Sequence, residues 1–316
     1  MGFFSSKKRK VVGGMFALVF IVIFILSLGP YLGIDAAKRK SYVSKLTNKD
    51  QKLIPGTEEI TYQPRPGSTS SKKFSFAYIH GFSGSRPELY PLLENLGDYF
   101  GAAVFFTRLT GHGIDDHGES LSKGECYDWL NDADRTIANS KVPGHELVLF
   151  GMSFGALMSS FAALEHQAEI KALVLISPIF ELPNPVAKFV SGPLGPILAR
   201  LILGPIHEFT PINELNAKYW TTRYSTNVIS QLMDCENYMR KQDFSRIKIP
   251  LLVLYTEKDA VVSIQAIKNR FKDFGSPIKL LVEVPGATDH VLTGDIINPQ
   301  TLPFVEKTVK DFLESL

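Results

Sequence analysis

The stretch Glu146-Leu-Val-Leu-Phe-Gly151-Met-Ser153-Phe-Gly155 decides the fold class of this chain. Its first half is an apolar run typical of a strand that is buried on both faces of a sheet. Its second half has the pattern Gly-x-Ser-x-Gly, and a small-residue helical pattern follows at 156–164. Glycine on either side of the serine suits a sharp turn, because larger side chains there would collide with the strand and the helix. The stretch therefore predicts a nucleophile elbow that presents Ser153 at strained backbone angles.

Short apolar runs recur on both sides of this stretch and alternate with longer helical patterns. Runs of five or six residues without polar alternation suit strands that are buried on both faces. Strands that alternate with helices indicate right-handed crossovers and a mostly parallel sheet with helices on both faces. The predicted strands cover residues 74–79, 102–107, 146–150, 171–176, 250–255 and 279–284.

The interval 181–246 breaks this alternation. It contains five prolines between positions 183 and 205, followed by helical patterns at 211–220 and 227–241, and no convincing core strand. We interpret it as a helical cap inserted between two parts of an α/β core, at 72–180 and 247–316. Ligands of open parallel sheets bind beyond the carboxyl ends of the strands. An insertion after one of those strands would cover that edge.

The net charge of +2 hides an asymmetry between the amino-terminal segment and the body. Residues 1–45 hold eight basic side chains and one acidic side chain, a net charge of +7, and the remaining residues hold 26 basic and 31 acidic, a net charge of −5. Nucleic-acid binding requires clustered Lys and Arg on the folded domain. The acidic body therefore excludes nucleic acid as a partner.

An apolar run of 24 residues at 11–34 carries no charged side chain. A helix needs about 20 such residues to cross a bilayer, whereas the apolar part of a cleaved signal has roughly 7 to 15. We therefore expect a transmembrane anchor at 11–34, between a basic tail at 1–10 and a polar tether at 35–71 that contains one early strand pair around 59–63. Four basic residues precede the apolar run, at 7–10, and three follow it, at 38–40. Because the side with more basic residues tends to stay in the cytoplasm, we expect a cytoplasmic amino terminus and an extracytoplasmic body.

Two further polar residues at predicted strand ends complete a catalytic pattern with Ser153. Asp259 follows the strand at 250–255, and His290 follows the strand at 279–284. A serine hydroxyl needs a base to become a nucleophile at neutral pH, and the base needs an orienting acid. The order Ser, Asp, His is the one expected on a hydrolase sheet. Glu257 and Asp289 are the alternatives for the acid.

The loop after the first buried strand predicts an oxyanion hole. It has the sequence His80-Gly81-Phe82-Ser-Gly84, whose glycines allow close approach to a substrate. We expect the N–H groups of Phe82 and Phe154 to stabilise the negative charge that develops on a substrate oxygen. We interpret His80 and His112, which lies in a second glycine-containing loop at 109–113, as residues that brace these loops.

These motifs resemble the α/β-hydrolase superfamily, and within it the carboxylesterase and monoacylglycerol lipase branch, over residues 72–316. The residues that carry the resemblance are His80–Gly84, Leu109–Gly113, Tyr127 with Trp129, Gly151–Gly155, Asp259-Ala-Val-Val and His290. The resemblance implies a serine esterase with a helical cap over an acyl pocket and with no metal or organic cofactor. Methionine stands before the serine where this superfamily often has histidine or leucine, and the cap is too irregular for its pocket residues to be carried over.

The expected substrate is a small-molecule or lipid ester, cleaved through an acyl-serine intermediate. The cap run at 194–203 suits a helix packed against the sheet, but its leucines Leu201 and Leu203 also suit a face that lies on a bilayer and admits an acyl chain. Trp220 and Tyr224 are candidates to line the same pocket. The alternatives are an acyltransferase, a thioesterase or a proline-type peptidase with the same residues, and a noncatalytic binding protein on the same fold.

Cys126 and Cys235 are the only cysteines of the chain. Sequence separation alone does not establish a bridge between them, and we expect two buried free thiols.

Overall fold

A seven-stranded sheet forms the centre of the molecule in the computed structural model of this chain. The structure describes Arg39, Tyr42, Ser44, Leu46, residues 52–184, Ala187 and residues 190–316. The strands of the described residues are β1 Ile60–Tyr62, β2 Phe74–Ile79, β3 Val104–Phe106, β4 Glu146–Met152, β5 Ile170–Ile176, β6 Ile206–Glu208, β7 Arg223–Ser225, β8 Leu251–Tyr255 and β9 Lys279–Glu283. The sheet has the order β1-β3-β2-β4-β5-β8-β9, and its neighbouring strands are parallel except for the antiparallel pair β1 and β3.

Helices cover both faces of the sheet, because successive side chains of each strand point to opposite faces. The α-helices of the described residues are α1 Leu92–Phe100, α2 Glu119–Ser122, α3 Cys126–Ser140, α4 Phe154–His166, α5 Gly195–Leu203, α6 Glu214–Tyr219, α7 Asn227–Arg240, α8 Ile264–Asp273 and α9 Leu302–Glu314. In β2, Phe74 and Phe76 face the layer formed by α1 and α9, whereas Ala77 and Ile79 face the layer formed by α3 and α4.

The six predicted core strands are confirmed, with ends that lie within two residues of the prediction. One part of the prediction is wrong, because β9 is not buried on both faces. It lies at the edge of the sheet, and 47% of the Leu280 surface is exposed. The apolar run of β9 resembles that of an inner strand, and sequence alone does not reveal that no further strand covers it.

The first part of the domain lies within the stretch expected to be a tether. β1 forms no local strand pair and instead adds to the sheet edge, with Ile60 opposite Phe106 of β3. Leu53 bridges to Ile114, and the buried Thr57 hydroxyl donates to the Gly113 carbonyl at 2.9 Å. Residues 52–62 therefore pack on the core, in contrast to the polar tether predicted for 35–71.

The described residues of the interval 181–246 form the α-helices α5, α6 and α7, together with an antiparallel pair of short strands, β6 and β7, that the sequence did not predict. α5 packs on α7 through small residues, since Gly195 and Ala199 are buried. Its large side chains point outward, and 76% of Leu201 and 45% of Leu203 are exposed. The expectation that this helix packs against the sheet is therefore wrong.

A disulfide joins Cys126, at the start of α3, to Cys235 in α7. The expectation of two free thiols is wrong. The two cysteines lie 109 residues apart in sequence, and the fold brings their Cα atoms to 5.5 Å. The bridge therefore connects the inserted segment covalently to a helix that packs on the sheet.

Among the described residues, no helix has the length and apolar character required to span a bilayer. The predicted basic tail at 1–10 and anchor at 11–34 lie outside the described residues. The nearest described residue, Arg39, is buried against the domain. Its guanidinium contacts Asp134 of α3 at 2.5 Å and Glu165 of α4 at 3.4 Å, and it lies over the Phe161 ring.

Candidate active site

The turn between β4 and α4 holds Ser153 in a conformation that few residues with a side chain adopt. Its backbone angles are φ 53° and ψ −114°, as the Gly-x-Ser-x-Gly pattern predicted. A Cβ atom at Gly151 would lie 2.6 Å from Ala156 Cα, and one at Gly155 would lie 2.0 Å from the Ile79 carbonyl oxygen. Glycine is therefore required on both sides of the serine, because the helix starts in contact with two strands.

The structure brings Ser153, His290 and Asp259 together at the carboxyl edge of the sheet. His290 Nε2 lies 2.7 Å from Ser153 Oγ, and His290 Nδ1 lies 2.7 Å from Asp259 Oδ2. β5 and β8 separate the serine strand β4 from β9, so the loop after β9 must reach back across two strands. The three side chains form a continuous chain of hydrogen bonds from carboxylate to hydroxyl.

Asp259 is the carboxylate that contacts the imidazole. Its other oxygen accepts the N–H groups of Val261 at 2.8 Å and Val262 at 3.1 Å. Burial raises the pKa of Asp259, but the hydrogen bond and charge of His290 and these two backbone donors outweigh it and hold the pKa below its ordinary value. Of the alternatives, Glu257 pairs with Lys268 and Asp289 is exposed.

Three polar residues that the sequence analysis missed hold the His290 loop in place. Ser177, directly after β5, donates its hydroxyl to the His290 carbonyl at 2.7 Å. Thr256 donates to the Ala287 carbonyl at 3.2 Å, and Asn298 donates to the Val291 carbonyl at 2.6 Å. Ser177 has a sequence signal, since it is a polar residue at a strand end. Thr256 has the same signal, because it directly follows β8, whereas Asn298 does not follow a strand and has no such signal.

The loop predicted to form an oxyanion hole lies against Ser153. A Cβ atom placed on Gly81 would lie 3.4 Å from Ser153 Cβ, and the rings of Phe82 and Phe154 meet edge to face. In the described part of the chain, neither the Phe82 nor the Phe154 N–H donates to another protein group. Phe154 is the first residue of α4, where a backbone N–H has no partner within the helix.

His80 braces this loop, in agreement with the sequence interpretation. The Leu109 N–H donates to His80 Nε2 at 3.1 Å, so Nδ1 carries the proton and donates to the Gly81 carbonyl at 2.9 Å. Burial lowers the pKa of His80 to about 4, which keeps the ring neutral. His112 is also buried, and its Nδ1 lies 3.1 Å from the Thr110 carbonyl.

The four proposed substrate-binding residues of the cap lie in two different places. Tyr224 is buried, and its ring centroid lies 5.5 Å from that of Phe82, beside the oxyanion loop. Trp220 is buried near Gly84 of the same loop. Leu201 and Leu203 lie on the outer surface of α5 and do not line a common pocket with them.

The sheet order, the helices on both faces and the strained serine after β4 define an α/β-hydrolase. The chain belongs to the Hydrolase_4 family, described as serine aminopeptidase, S33, whose model matches residues 73–295. This assignment confirms the resemblance to the α/β-hydrolase superfamily.

Solved structures of low sequence identity share this fold. One, from work on the metagenome-derived lipolytic enzymes LipS and LipT, has a TM-score of 0.68 at 17% identity and covers 83% of this chain and 100% of that chain. The monoacylglycerol lipase of Paleococcus ferrophilus has a TM-score of 0.60 at 19% identity, and the match covers 82% of this chain and 99% of that chain. A soluble variant of monoglyceride lipase from Saccharomyces cerevisiae has a TM-score of 0.59 at 15% identity, and the match covers 86% of this chain and 98% of that chain. No curated protein matches the sequence.

We expect Asp259→Asn to lower kcat about ten-thousandfold, by analogy with serine proteases, because the amide cannot hold the required His290 tautomer. Asp289→Asn is the matched control, and we expect its rate to stay within about twofold, as for a surface substitution. The measurement is the hydrolysis of a short soluble p-nitrophenyl ester by both folded variants. A large loss in Asp289→Asn with little loss in Asp259→Asn would contradict this assignment.

Proposed function

We propose that this protein is a serine hydrolase that cleaves carboxylic esters through an acyl-Ser153 intermediate. The observation that carries the proposal is the pair of 2.7 Å contacts that link Asp259, His290 and Ser153. This arrangement provides a nucleophile, a base in contact with it and an acid in contact with the base. The two N–H groups of Phe82 and Phe154 beside the serine support the same chemistry.

In the proposed reaction, His290 Nε2 accepts the Ser153 proton as Oγ bonds to the ester carbonyl carbon. The carbonyl oxygen becomes an oxyanion, which the N–H groups of Phe82 and Phe154 stabilise. His290 then donates the proton to the alcohol oxygen, and the bond from that oxygen to the carbonyl carbon breaks. A water molecule repeats both steps on the acyl-Ser153, which releases the carboxylic acid and restores the serine. Asp259 orients the imidazole and stabilises its cationic form.

The surroundings of Ser153 support an apolar acyl group in the substrate. Aromatic rings pack around the oxyanion loop, where Phe82 contacts the rings of Trp129, Phe154 and Tyr224. Burial raises the pKa of the Tyr224 phenol, so this group stays neutral near the site. The neighbours described as lipolytic enzymes and monoacylglycerol lipases act on substrates of this class.

A peptidase is the second candidate, because the family description is serine aminopeptidase. The proposed nucleophile, base and oxyanion donors are the same for ester and amide cleavage. Proline p-nitroanilide and p-nitrophenyl esters of increasing chain length separate the two activities. Preference for the anilide would favour the peptidase.

We expect a fluorophosphonate probe to label the wild-type protein, because it reacts with an activated serine. Ser153→Ala removes the nucleophile and should abolish both labelling and ester hydrolysis, while the unfolding temperature stays near that of the wild type. The matched control is Ser159→Ala, which replaces a buried serine of α4, the helix that begins directly after Ser153. A truncated chain beginning at Asp35 suits this test, because it keeps the Arg39 contacts with Asp134 and Glu165. Labelling that persists in Ser153→Ala would exclude the proposed nucleophile.

We also propose that residues 11–34 anchor the enzyme in a membrane as a single-pass protein. The length of the apolar run supports this anchor. Arg39 lies five residues after the run and is buried on α3 and α4. Five residues span at most about 17 Å. The anchor would therefore hold the α3 and α4 side of the domain close to the lipid surface.

The exposed face of α5 supports lipid substrates for the anchored enzyme. Its members Ile197, Leu201, Ile202 and Leu203 are each at least 45% exposed. Contiguous apolar surface of this kind often marks an interaction site. α5 packs on α7, whose Tyr238 lies against Phe161 below Arg39, so α7 connects α5 to the place where the proposed anchor would join the domain.

We expect Leu201→Glu with Leu203→Glu to lower the hydrolysis of monoacylglycerol in vesicles about tenfold or more, because each leucine buried in lipid contributes about 1.5 to 3 kcal/mol. Hydrolysis of a short soluble ester should not change. Leu280→Glu is the matched control, since Leu280 is similarly exposed on the edge strand β9. Equal losses on both substrates, or no loss on vesicles, would contradict contact between this face and lipid.

We propose that the catalytic domain lies outside the cytoplasm. The four basic residues before the apolar run support this orientation. The disulfide between α3 and α7 supports it independently, because such bonds persist in oxidising compartments and are rare in the cytosol.

In intact cells we therefore expect Cys126 and Cys235 to resist a membrane-permeant alkylating reagent until a reductant is added. The Cys235→Ser variant should react at Cys126 without reductant after denaturation, which serves as the control. The reagent is added to intact cells, and the protein is then denatured while the reagent is still present. Mass spectrometry counts the modified cysteines. Alkylation of both cysteines without reductant would contradict the extracytoplasmic assignment.

A further inference from the structure

Glu88 is a buried carboxylate that the proposed reaction does not use. It lies in the short 3-10 helix Arg86–Leu89 that follows the oxyanion loop, and only 1% of its surface is exposed. Among the described residues, no basic side chain forms an ion pair with it. A buried carboxylate is costly unless hydrogen bonds stabilise it, and burial raises the pKa of Glu88 to about 7. A carboxylate that is retained despite this free-energy cost indicates a specific role for Glu88.

The hydrogen bonds of Glu88 go to the loop and to the strand before it. Oε1 accepts the Gly81 N–H at 2.6 Å and the Tyr78 hydroxyl at 2.5 Å. Cβ atoms placed on Gly81 and Gly84 would lie 3.1 Å and 2.4 Å from Oε2. The loop therefore wraps around this carboxylate, with its two glycines in close approach.

The peptide group between Gly81 and Phe82 is fixed from its carbonyl side. The Gly81 carbonyl accepts from His80 Nδ1 at 2.9 Å and from the Gly84 N–H at 3.2 Å. A trans peptide is planar, so its N–H points opposite to its carbonyl. Two donors on the Gly81 oxygen thus set the direction of the Phe82 N–H. Glu88 fixes the preceding peptide through the Gly81 N–H, so both peptide groups around the Gly81 Cα are held.

We propose that Glu88 is a positioning residue that orients the Phe82 N–H toward the oxyanion by accepting the Gly81 N–H. This inference rests on the proposed function, in which the Phe82 N–H is an oxyanion donor. Without this acceptor only the two contacts on the Gly81 carbonyl hold the loop, and rotation about the Gly81 Cα becomes easier, because glycine has no Cβ to restrict it. The Phe82 N–H then spends less time in line with the substrate oxygen.

Three substitutions separate this role from a general structural one. Glu88→Asp shortens the side chain by one methylene and withdraws the acceptor, and we expect kcat to fall about ten- to a thousandfold, within the range for loss of one oxyanion donor. KM should stay within about threefold, because this interaction acts in the transition state. Glu88→Gln keeps an acceptor at the same reach and should keep kcat within about fivefold. Glu94→Gln, a partly buried carboxylate of α1, is the matched control with wild-type kinetics.

A trifluoromethyl ketone provides a readout that a structural role would not affect. Ser153 adds to its carbonyl and forms a tetrahedral oxyanion in the same hole. Across the variants, its inhibition constant should therefore rise by the same factor as kcat/KM falls. Rates are expressed per active site, as titrated with the fluorophosphonate, so that partial unfolding does not lower them.

The proposal is overturned if Glu88→Asp has the wild-type kcat per active site, even with a lower unfolding temperature. It is also overturned if Glu88→Gln loses as much activity as Glu88→Asp, since the carboxylate charge would then matter more than its position. The rate of fluorophosphonate labelling uses the same hole and needs no ester. A wild-type protein that is labelled but cleaves no ester would refute the proposed function alone, and the labelling rates of the variants would still test Glu88.

Discussion

The turn from β4 into α4 is the constraint on which the site depends. The helix begins so close to the neighbouring strands that glycine is required at positions 151 and 155. The serine between them takes backbone angles that are costly for a residue with a side chain. β4 holds the serine in this conformation, because the strand is buried along almost its whole length and is paired on both sides. A rigid central strand thus fixes the hydroxyl, and the other groups are arranged around it.

The loops that meet this hydroxyl are held by polar side chains at the carboxyl edge of the sheet. Ser177 and Asn298 bond the backbone of the His290 loop, and Glu88 bonds the backbone of the Phe82 loop. Each of these contacts joins a side chain to a main-chain group of a neighbouring segment. The loop conformations therefore follow from the surrounding fold more than from their own sequences.

Much of this architecture could be predicted because its signals are local. Buried strands have apolar runs, and Ser153, Asp259 and His290 stand in this order after the strands β4, β8 and β9. Features that depend on distant partners could not be predicted. The disulfide joins residues 109 positions apart, and β1 pairs with a strand more than forty residues further on. Glu88 has no signal in its own neighbourhood, because its partner is a backbone amide of a loop. For α5 the sequence left two orientations open, packing on the sheet or an outward face, because apolar periodicity does not identify what covers a helix.

His290, the proposed base, lies in the loop after β9, which is the outermost parallel strand of the sheet. Among the described strands, β9 pairs only with β8, and 47% of the Leu280 surface is exposed. Edge elements with few buried contacts open at a lower free energy than the centre of a sheet. Local opening of β9 would move the His290 imidazole away from the site, while Ser153 stays in the turn between β4 and α4. Inactivation by heat or denaturant would then precede the cooperative unfolding of the domain, and cooling or dilution of the denaturant, respectively, would restore the activity.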